Sequence, residues 1–344
     1  MKKVWGVCLA LTLLVACKSQ VATKKAPSPR QGPQPLILTG SIPLPDAQGR
    51  FDHFSFDPKG RVFLSALGSN TEEVLNIMMR IRSHSITGIP VPQGVVYVSE
   101  VNKLFVASRR GKLYIYDGTS FNLIKAIDFH GDVDNLRYDA ANKRVYAGYG
   151  DGDAAAIRMV DATSDQLLDE EYKTGAHPES FQLETSGPNI YVNLPDLKQI
   201  AVINRSTHAI TRWPATLEKN FPMALDEADH RLFVVTRTPP RLDVFDTSSG
   251  HMVASLPCVA DSDDLYYDAA HKRIYIPGGE GFIDVFQQKG ADQYQLLAKI
   301  PSALGARTAG YFGNIGKKEI DLFYLAVPAR AGHDAEVLIY TIED

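Results

Sequence analysis

Acidic side chains recur at one position of a sequence pattern that repeats along the chain. Carboxylates, imidazoles and amides that are brought together can bind a metal ion, another cation or a polar ligand. Each residue also has a local alternative, since Asp and Asn often cap turns by bonding to nearby backbone. The recurring position holds, in chain order, Asp52, Gly94, Asp134, Glu179, Phe221, Asp263 and Arg307, its neighbours include His53, Asn135, Asp264 and Thr308, and Gln93, His177 and Asn220 lie just upstream.

Two features bear on whether these residues act together. Four like charges gathered in one place repel one another unless something positive joins them, and Arg307 or a bound cation could be that group. His177 and Glu179 lie two residues apart, a spacing that on a strand places both on one face as metal ligands or as an acid–base pair. A turn around Pro178 is the alternative for this pair.

Sequence motifs of the commonest catalytic sites are absent from the chain. HExxH, CxxC, CxxCH and GxSxG do not occur, which removes the strongest signs of a zinc protease, a redox pair, c-type haem and a hydrolase elbow. The glycine-rich segments Gly148–Gly152 and Gly278–Gly281 each bridge two strands, so they are predicted to be hairpin turns and not phosphate loops. Cys258 ends an apolar strand and is expected to be a small buried hydrophobe.

Seven copies of one unit position these side chains. A copy reads as a short apolar strand ending in an acid, a polar turn, and a strand that opens on an aromatic, as in DNLRYDAANKRVYAG from Asp134. The copies follow one another at intervals of roughly 40 to 45 residues, which is typical of repeat architectures. Two further strands complete each unit, for example Lys112 to Asp117 and Leu123 to Phe129. Each unit is therefore predicted to be a four-stranded antiparallel sheet.

Seven such sheets cover one another's apolar faces when they are arranged radially, which predicts an all-β, seven-bladed β-propeller over residues 36–344. The seventh unit, from Arg307, supplies only three strands, and Leu36 to Pro43 (LILTGSIP) resembles the fourth strand of the other units. The N-terminal strand is therefore predicted to close the ring. The units resemble the YVTN-type propeller repeats of bacterial exported proteins, and Ile190–Asn193 is the nearest literal copy of that motif. They also resemble a superfamily that includes the propeller chain of quinoprotein amine dehydrogenases.

Antiparallel order places the predicted ligand site at one mouth of the central channel. The segment that leads into a blade and the turn between its second and third strands share one face, and the first strand lines the channel. Loops on such a face often carry function. The residues predicted to bind a ligand there are Asp52, His53, Asp134, Asn135, His177, Glu179, Asn220, Asp263, Asp264 and Arg307.

The start of the chain predicts export. Lys2 and Lys3 precede an apolar run from Val4 to Val15, as in a secretory signal peptide, and the run is too short to span a bilayer. Leu14 to Cys17 resembles the bacterial lipobox, which implies that residues 1–16 are removed and that the cysteine becomes a lipidated N-terminus.

This second resemblance implies attachment of Cys17 to a membrane by acyl chains. In such lipoproteins an aspartate after the cysteine favours the inner membrane, so Lys18 predicts the outer membrane, with the protein facing the periplasm. Residues 17–35 are rich in proline and lysine and are predicted to form a disordered tether.

Charge and anchoring favour a binding function. Beyond the tether the chain has 30 Lys and Arg against 40 Asp and Glu, a net charge of −10, which argues against nucleic acid because phosphate binding needs clustered basic residues. A rigid ring on a lipid anchor without a catalytic motif predicts a scaffold for an envelope protein or a small polar ligand. The alternatives are a metal-dependent, lactonase-like hydrolase with a divalent cation at the mouth, and an accessory subunit of a periplasmic dehydrogenase. The sequence does not identify a cofactor.

Overall fold

Seven four-stranded antiparallel sheets make up the part of the chain that the computed structural model describes, which is Met1 and residues 34–215, 218–312 and 321–344. Neighbouring sheets contact one another in chain order, and the seventh contacts the first. The predicted seven-bladed β-propeller is therefore confirmed. Residues 2–33 lie outside the described residues, and they include most of the predicted signal peptide, Cys17 with its predicted lipidation, and most of the predicted tether. Within the described ranges, no helix has the length and apolar character needed to cross a membrane.

The first three blades each consist of four consecutive strands. Blade 1 contains β2 (Phe54–Asp57), β3 (Arg61–Ala66), β4 (Thr71–Asn76) and β5 (Ile81–Thr87). Blade 2 contains β6 (Pro92–Val98), β7 (Lys103–Ser108), β8 (Lys112–Asp117) and β9 (Leu123–Asp128). Blade 3 contains β10 (Val133–Asp139), β11 (Arg144–Tyr149), β12 (Ala156–Asp161) and β13 (Gln166–Lys173).

Blades 4 to 6 repeat this order, and blade 7 combines the two ends of the described chain. Blade 4 contains β14 (Phe181–Leu183), β15 (Asn189–Leu194), β16 (Gln199–Asn204) and β17 (Ile210–Pro214). Blade 5 contains β18 (Glu218–Asp226), β19 (Arg231–Thr238), β20 (Pro240–Asp246) and β21 (Met252–Pro257). Blade 6 contains β22 (Tyr266–Asp268), β23 (Arg273–Gly278), β24 (Phe282–Gly290) and β25 (Gln293–Pro301). Blade 7 contains β26 (Thr308–Phe312), β27 (Leu322–Val327), β28 (Ala335–Ile342) and β1 (Leu36–Leu44). Short 3₁₀ turns lie at Leu67–Ser69, Gly152–Ala154 and Pro195–Leu197.

The hydrophobic core lies between successive blades. Second strands such as β11 are buried along almost their whole length, whereas outer strands such as β5 expose most of their side chains. One cluster of buried side chains joins Val98 and Ile115 of blade 2 to Val133 and Val145 of blade 3. Each sheet thus buries its two faces against its neighbours, which is why the inner strands read as nearly continuous apolar runs.

Strand β1 closes the ring, as the sequence predicted. It pairs antiparallel with β28, from Leu36 opposite Ile342 to Leu44 opposite Ala335. Leu44 and Ile42 are fully buried in the cluster between blades 7 and 1. The N-terminal strand therefore contributes both backbone pairing and core packing to the last blade.

In blades 1, 3, 4, 5 and 6 the acid at the end of the first strand shapes the turn at the far end of the blade from the predicted site. The Asp139 carboxylate accepts hydrogen bonds from the backbone N–H groups of Ala141 and Asn142, at 3.0 and 3.2 Å. In blade 4 the Tyr191 hydroxyl donates to Glu184 over 2.6 Å. Glu184 lies seven residues before Tyr191 in the sequence, and the contact between the two side chains ties the first hairpin of the blade together.

Candidate ligand-binding site at the channel mouth

A polar cavity of about 1010 Å³ opens at one mouth of the central channel and continues along the first strands as far as Phe56, Tyr138 and Leu225. The segments that lead into the blades and the turns between second and third strands both line it, as antiparallel order predicts. The second-to-third turns contribute Arg109, Asp151 and Asp196, and the end of β19 contributes Arg237.

Most of the residues predicted to bind a ligand meet in this cavity. Its lining includes Asp52, His53, Asp134, Asn135, His177, Glu179, Asp263 and Asp264. They come from the first strand of blade 3 and from the segments that lead into blades 1, 4 and 6, so the fold brings distant parts of the chain together.

Two of the predicted residues do not line the cavity. Asn220 is fully buried near the junction of blades 4 and 5, where its amide donates to Asn193 Oδ1 over 3.0 Å and to the Gln199 carbonyl over 3.2 Å. Arg307 lies behind the cavity wall, with Nη1 2.6 Å from Asp261 Oδ1 and Nε 2.5 Å from Asp263 Oδ2. The first residue is therefore a structural bridge, and the second acts on the site through its charge.

His53 lies among carboxylates from three blades. Its Nε2 atom is 3.7 Å from Asp52 Oδ1 and 4.0 Å from Asp134 Oδ1. Its Nδ1 atom is 3.6 Å from Asp264 Oδ1. Burial alone would lower the pKa of His53, but the surrounding carboxylates raise that pKa to about 10. An imidazolium at this point supplies one of the positive groups that the gathered acids require.

Asp52 is a carboxyl group whose burial is only partly compensated. Burial raises its pKa, nearby His53 lowers it, and the like charge of Asp134 raises it again, to about 7. A buried carboxyl with a pKa near neutrality exchanges its proton under ordinary conditions, so its charge responds to whatever occupies the cavity.

Asp134, His177 and Glu179 form a compact group on the same wall. One ligand-type atom from each residue lies within 4.8 Å of the other two. His177 Nε2 is 3.5 Å from Asp134 Oδ2, and its Nδ1 atom lies 2.8 Å from the Gly150 carbonyl oxygen. The pKa of His177 is lowered by burial but raised more strongly by Asp134, to about 9. Burial and then Asp134 raise the pKa of Glu179 to about 8.

The segment that carries His177 and Glu179 is irregular and not a strand, since β14 begins only at Phe181. It crosses blade 3 at Gly148, where a Cβ atom would lie 3.0 Å from the Pro178 ring. A side chain at Gly148 would displace the segment. The two side chains therefore meet Asp134 because Pro178 packs closely on β11, and not through the alternation of a strand.

Two arginines neutralise Asp263, which is the fourth acid at the recurring position of the repeat. Arg237 forms an ion pair with Asp263 and lies over the ring of Phe221 at 4.3 Å from its centroid. Arg307 contacts the same carboxylate from the other side. Asp263 thus has two cationic partners, whereas the Glu179 carboxylate accepts no hydrogen bond from any residue within the described ranges.

Asp132 is a site residue that the sequence analysis missed. It lines the cavity, and its carboxylate lies 3.2 Å from Arg109 Nε. Burial, followed by the like charge of Asp134, raises its pKa to about 6. Extending the repeat alignment two residues upstream would have found it, because that offset also holds His177 and Asp261.

Comparison with known proteins identifies the fold and no family. No protein-family model matches the chain, and no curated protein matches it. A chain in the crystal structure of a mitotic checkpoint complex superposes with a TM-score of 0.71 at 12% sequence identity, over 97% of this chain and 99% of that one. The protein therefore belongs to the class of seven-bladed β-propellers, with a polar, carboxylate-rich cavity at one mouth of the channel.

Proposed function

We propose that this protein is a lipid-anchored lipoprotein of the cell envelope whose propeller is a binding scaffold with its ligand site at the channel mouth. The observation that carries the site is the Glu179 carboxylate. It lies half-buried in a polar cavity without a hydrogen bond from any described residue, and its pKa is raised by burial. A ligand with a cationic or hydrogen-bond-donating group would offset this cost.

The ring itself supports the scaffold role. Its blades are packed into one another through buried apolar side chains, so the mouth is a preformed surface that loses little conformational entropy on binding. The propeller in the mitotic checkpoint complex is part of a protein assembly, which supports protein binding by this architecture in general. A small polar ligand in the cavity and a protein partner over the mouth would use the same face.

Native mass spectrometry of the chain isolated from its host envelope in a mild detergent tests the proposal. The wild-type protein is expected to carry an additional bound mass, or a stoichiometric protein partner. His53→Gln removes the imidazole that contacts three carboxylates in the cavity, so the bound species should be lost. His84→Gln is the matched control, because His84 lies exposed on outer strand β5 and stacks on Phe121.

The proposal fails if the wild-type chain carries neither ligand nor partner. It also fails if the His53→Gln and His84→Gln variants retain the bound species equally, since the binding surface would then lie elsewhere. Thermal unfolding of both variants checks that each has folded.

A metal-dependent hydrolase is the second candidate, favoured by the Asp134, His177 and Glu179 group. Two carboxylates and an imidazole within 4.8 Å of one another can hold a metal ion and a water molecule. Lactone hydrolysis measured with added Mn²⁺ or Zn²⁺ tests this candidate. Turnover that is lost in Glu179→Gln and kept in His84→Gln would support it, and no turnover with either ion would remove it.

A further inference from the structure

We propose that Asp134, His177 and Glu179 bind one divalent transition-metal ion at the channel mouth. The inference rests on the proposed function, since it takes the mouth as the ligand site, and it names the class of ligand. Asp134 lies in β10, the first strand of blade 3, and the other two residues lie in the segment that leads into blade 4.

The distances suit a small ion with short bonds. Asp134 Oδ2 and His177 Nε2 are 3.5 Å apart, and the three ligand-type atoms lie within 4.8 Å of one another. Ligands that bind zinc at about 2.0 to 2.2 Å lie roughly 3 to 3.5 Å apart, so modest side-chain rotation completes the site. One nitrogen with carboxylate oxygens favours Zn²⁺ or Mn²⁺ over Ca²⁺ and Mg²⁺, which prefer oxygen ligands.

The ring of His177 is already oriented as a metal ligand. Its Nδ1 atom lies 2.8 Å from the Gly150 carbonyl oxygen. A carbonyl can only accept a hydrogen bond, so Nδ1 carries the hydrogen and Nε2 faces Asp134. Metal-binding histidines in proteins commonly donate their second ring N–H to such a carbonyl, which fixes the tautomer and the ring orientation.

Gln93 gives an independent indication that this part of the cavity binds a ligand. It is 6% exposed and lines the same cavity as Asp134. Its buried side-chain Oε1 atom has no hydrogen-bond partner within the described ranges. Burying an acceptor without a hydrogen-bond partner is unfavourable. A metal ion beside Asp134, or a water molecule bound to that ion, would satisfy it.

A second group with similar composition serves as an internal control. Asp268, His271 and Asp321 also bring three ligand-type atoms together. There, however, Asp268 Oδ1 caps the hairpin backbone at Ala270, and Oδ2 lies 2.7 Å from His271 Nδ1. This arrangement is the turn cap found in the other blades, so it predicts no metal binding.

Metal titration tests the inference. The full chain is held in detergent, freed of metal with EDTA, and titrated with ZnCl₂, MnCl₂ or CoCl₂. Calorimetry should show one site per chain for at least one ion, and Co²⁺ should develop visible absorption bands from a nitrogen and oxygen ligand set. His177→Gln and Glu179→Gln should each weaken binding at least tenfold and remove the bands. His271→Gln should bind like the wild-type protein.

Three results would overturn the inference: no binding by the wild-type chain, equal loss in His177→Gln and His271→Gln, or full binding by folded Glu179→Gln. If the wild-type chain binds no metal yet retains its bound species in native mass spectrometry, only this inference fails. If that species is absent as well, the proposed function fails with it.

Discussion

At the channel mouth the fold favours the protonated forms of His53 and Asp52. Asp134 behaves oppositely, because despite its burial the nearby imidazoles hold its pKa below the usual value. Carboxylates raise the pKa of His53 to about 10, and burial raises the pKa of Asp52 to about 7. The stability contributed by the histidine is fully present below its unfolded pKa of about 6.5 and is lost as pH rises toward 10. The stability contributed by protonated Asp52 is present below about pH 4 and is lost as pH rises toward 7. Both groups therefore make the fold less stable at alkaline pH.

Replacing Asp52 with asparagine should remove one part of this pH dependence. The neutral amide cannot ionise, so the melting temperature of Asp52→Asn should rise relative to wild type between pH 5 and pH 8, by roughly 2 °C or more. Differential scanning calorimetry across that range measures the effect. Asp169→Asn, at an exposed position of β13, should show no such change. A constant difference between Asp52→Asn and wild type would mean that Asp52 does not titrate in this range.

The strands of the structure match their predicted bounds closely where the alternation of apolar and polar residues is strong. Strand β8 spans Lys112–Asp117 as predicted, and β9 ends one residue before the predicted Phe129. The conformation of the His177–Glu179 segment was harder to predict from the sequence. Pro178 interrupts the apolar alternation there, and close packing on Gly148 determines the path of the backbone. Local periodicity carries no information about such a contact between blades.

Strand β1 offers the sharpest test of ring closure. Ile42 is fully buried in the core between blades 7 and 1, and Ile37 of the same strand is 40% exposed. Ile42→Ala should lower the free energy of unfolding by about 2 to 5 kcal/mol. Ile37→Ala should cost less than about 1 kcal/mol. Chemical denaturation of both variants provides the comparison.

Deleting residues 36–44 should destabilise the whole ring, because the last blade would lose its outer strand and expose an edge. A deletion variant with an unchanged melting temperature would show that the ring is stable without this strand. Equal effects of Ile42→Ala and Ile37→Ala would argue against core packing by β1.

The whole molecule combines a negatively charged ring with a predicted lipid anchor. Cys17→Ser should release the protein from the membrane fraction, since each acyl methylene contributes about 0.8 kcal/mol of membrane affinity. Cys258→Ser is the matched control, because Cys258 is partly buried and burial raises the pKa of its thiol to about 12. Fractionation with metabolic labelling by palmitate measures both. Retention of Cys17→Ser in the membrane would mean that another feature attaches the protein.

Fold and site differ in how far they could be predicted from the residues alone. The strands, the number of blades and the closing strand follow from apolar alternation and a repeated unit, and both patterns are visible over short windows of sequence. The aligned acids were found in the same way, because equivalent positions of equivalent blades face the same mouth. The dehydrogenase-subunit hypothesis and the outer-membrane location stay predictions.

The contacts between blades are determined by the three-dimensional packing and could not be read from the sequence. Arg307 stands at the recurring position of its unit and Asn220 just upstream of that position in its own unit. Asn220 nevertheless bridges buried strands, and Arg307 pairs with Asp261 and Asp263. His53 lies close to Asp134 and Asp264, although both acids belong to other blades and are far from His53 along the chain. Side-chain direction and the charges facing it depend on how neighbouring sheets twist and pack. Repetition in a sequence therefore predicts which residues share a face of the ring, and packing determines which of them touch.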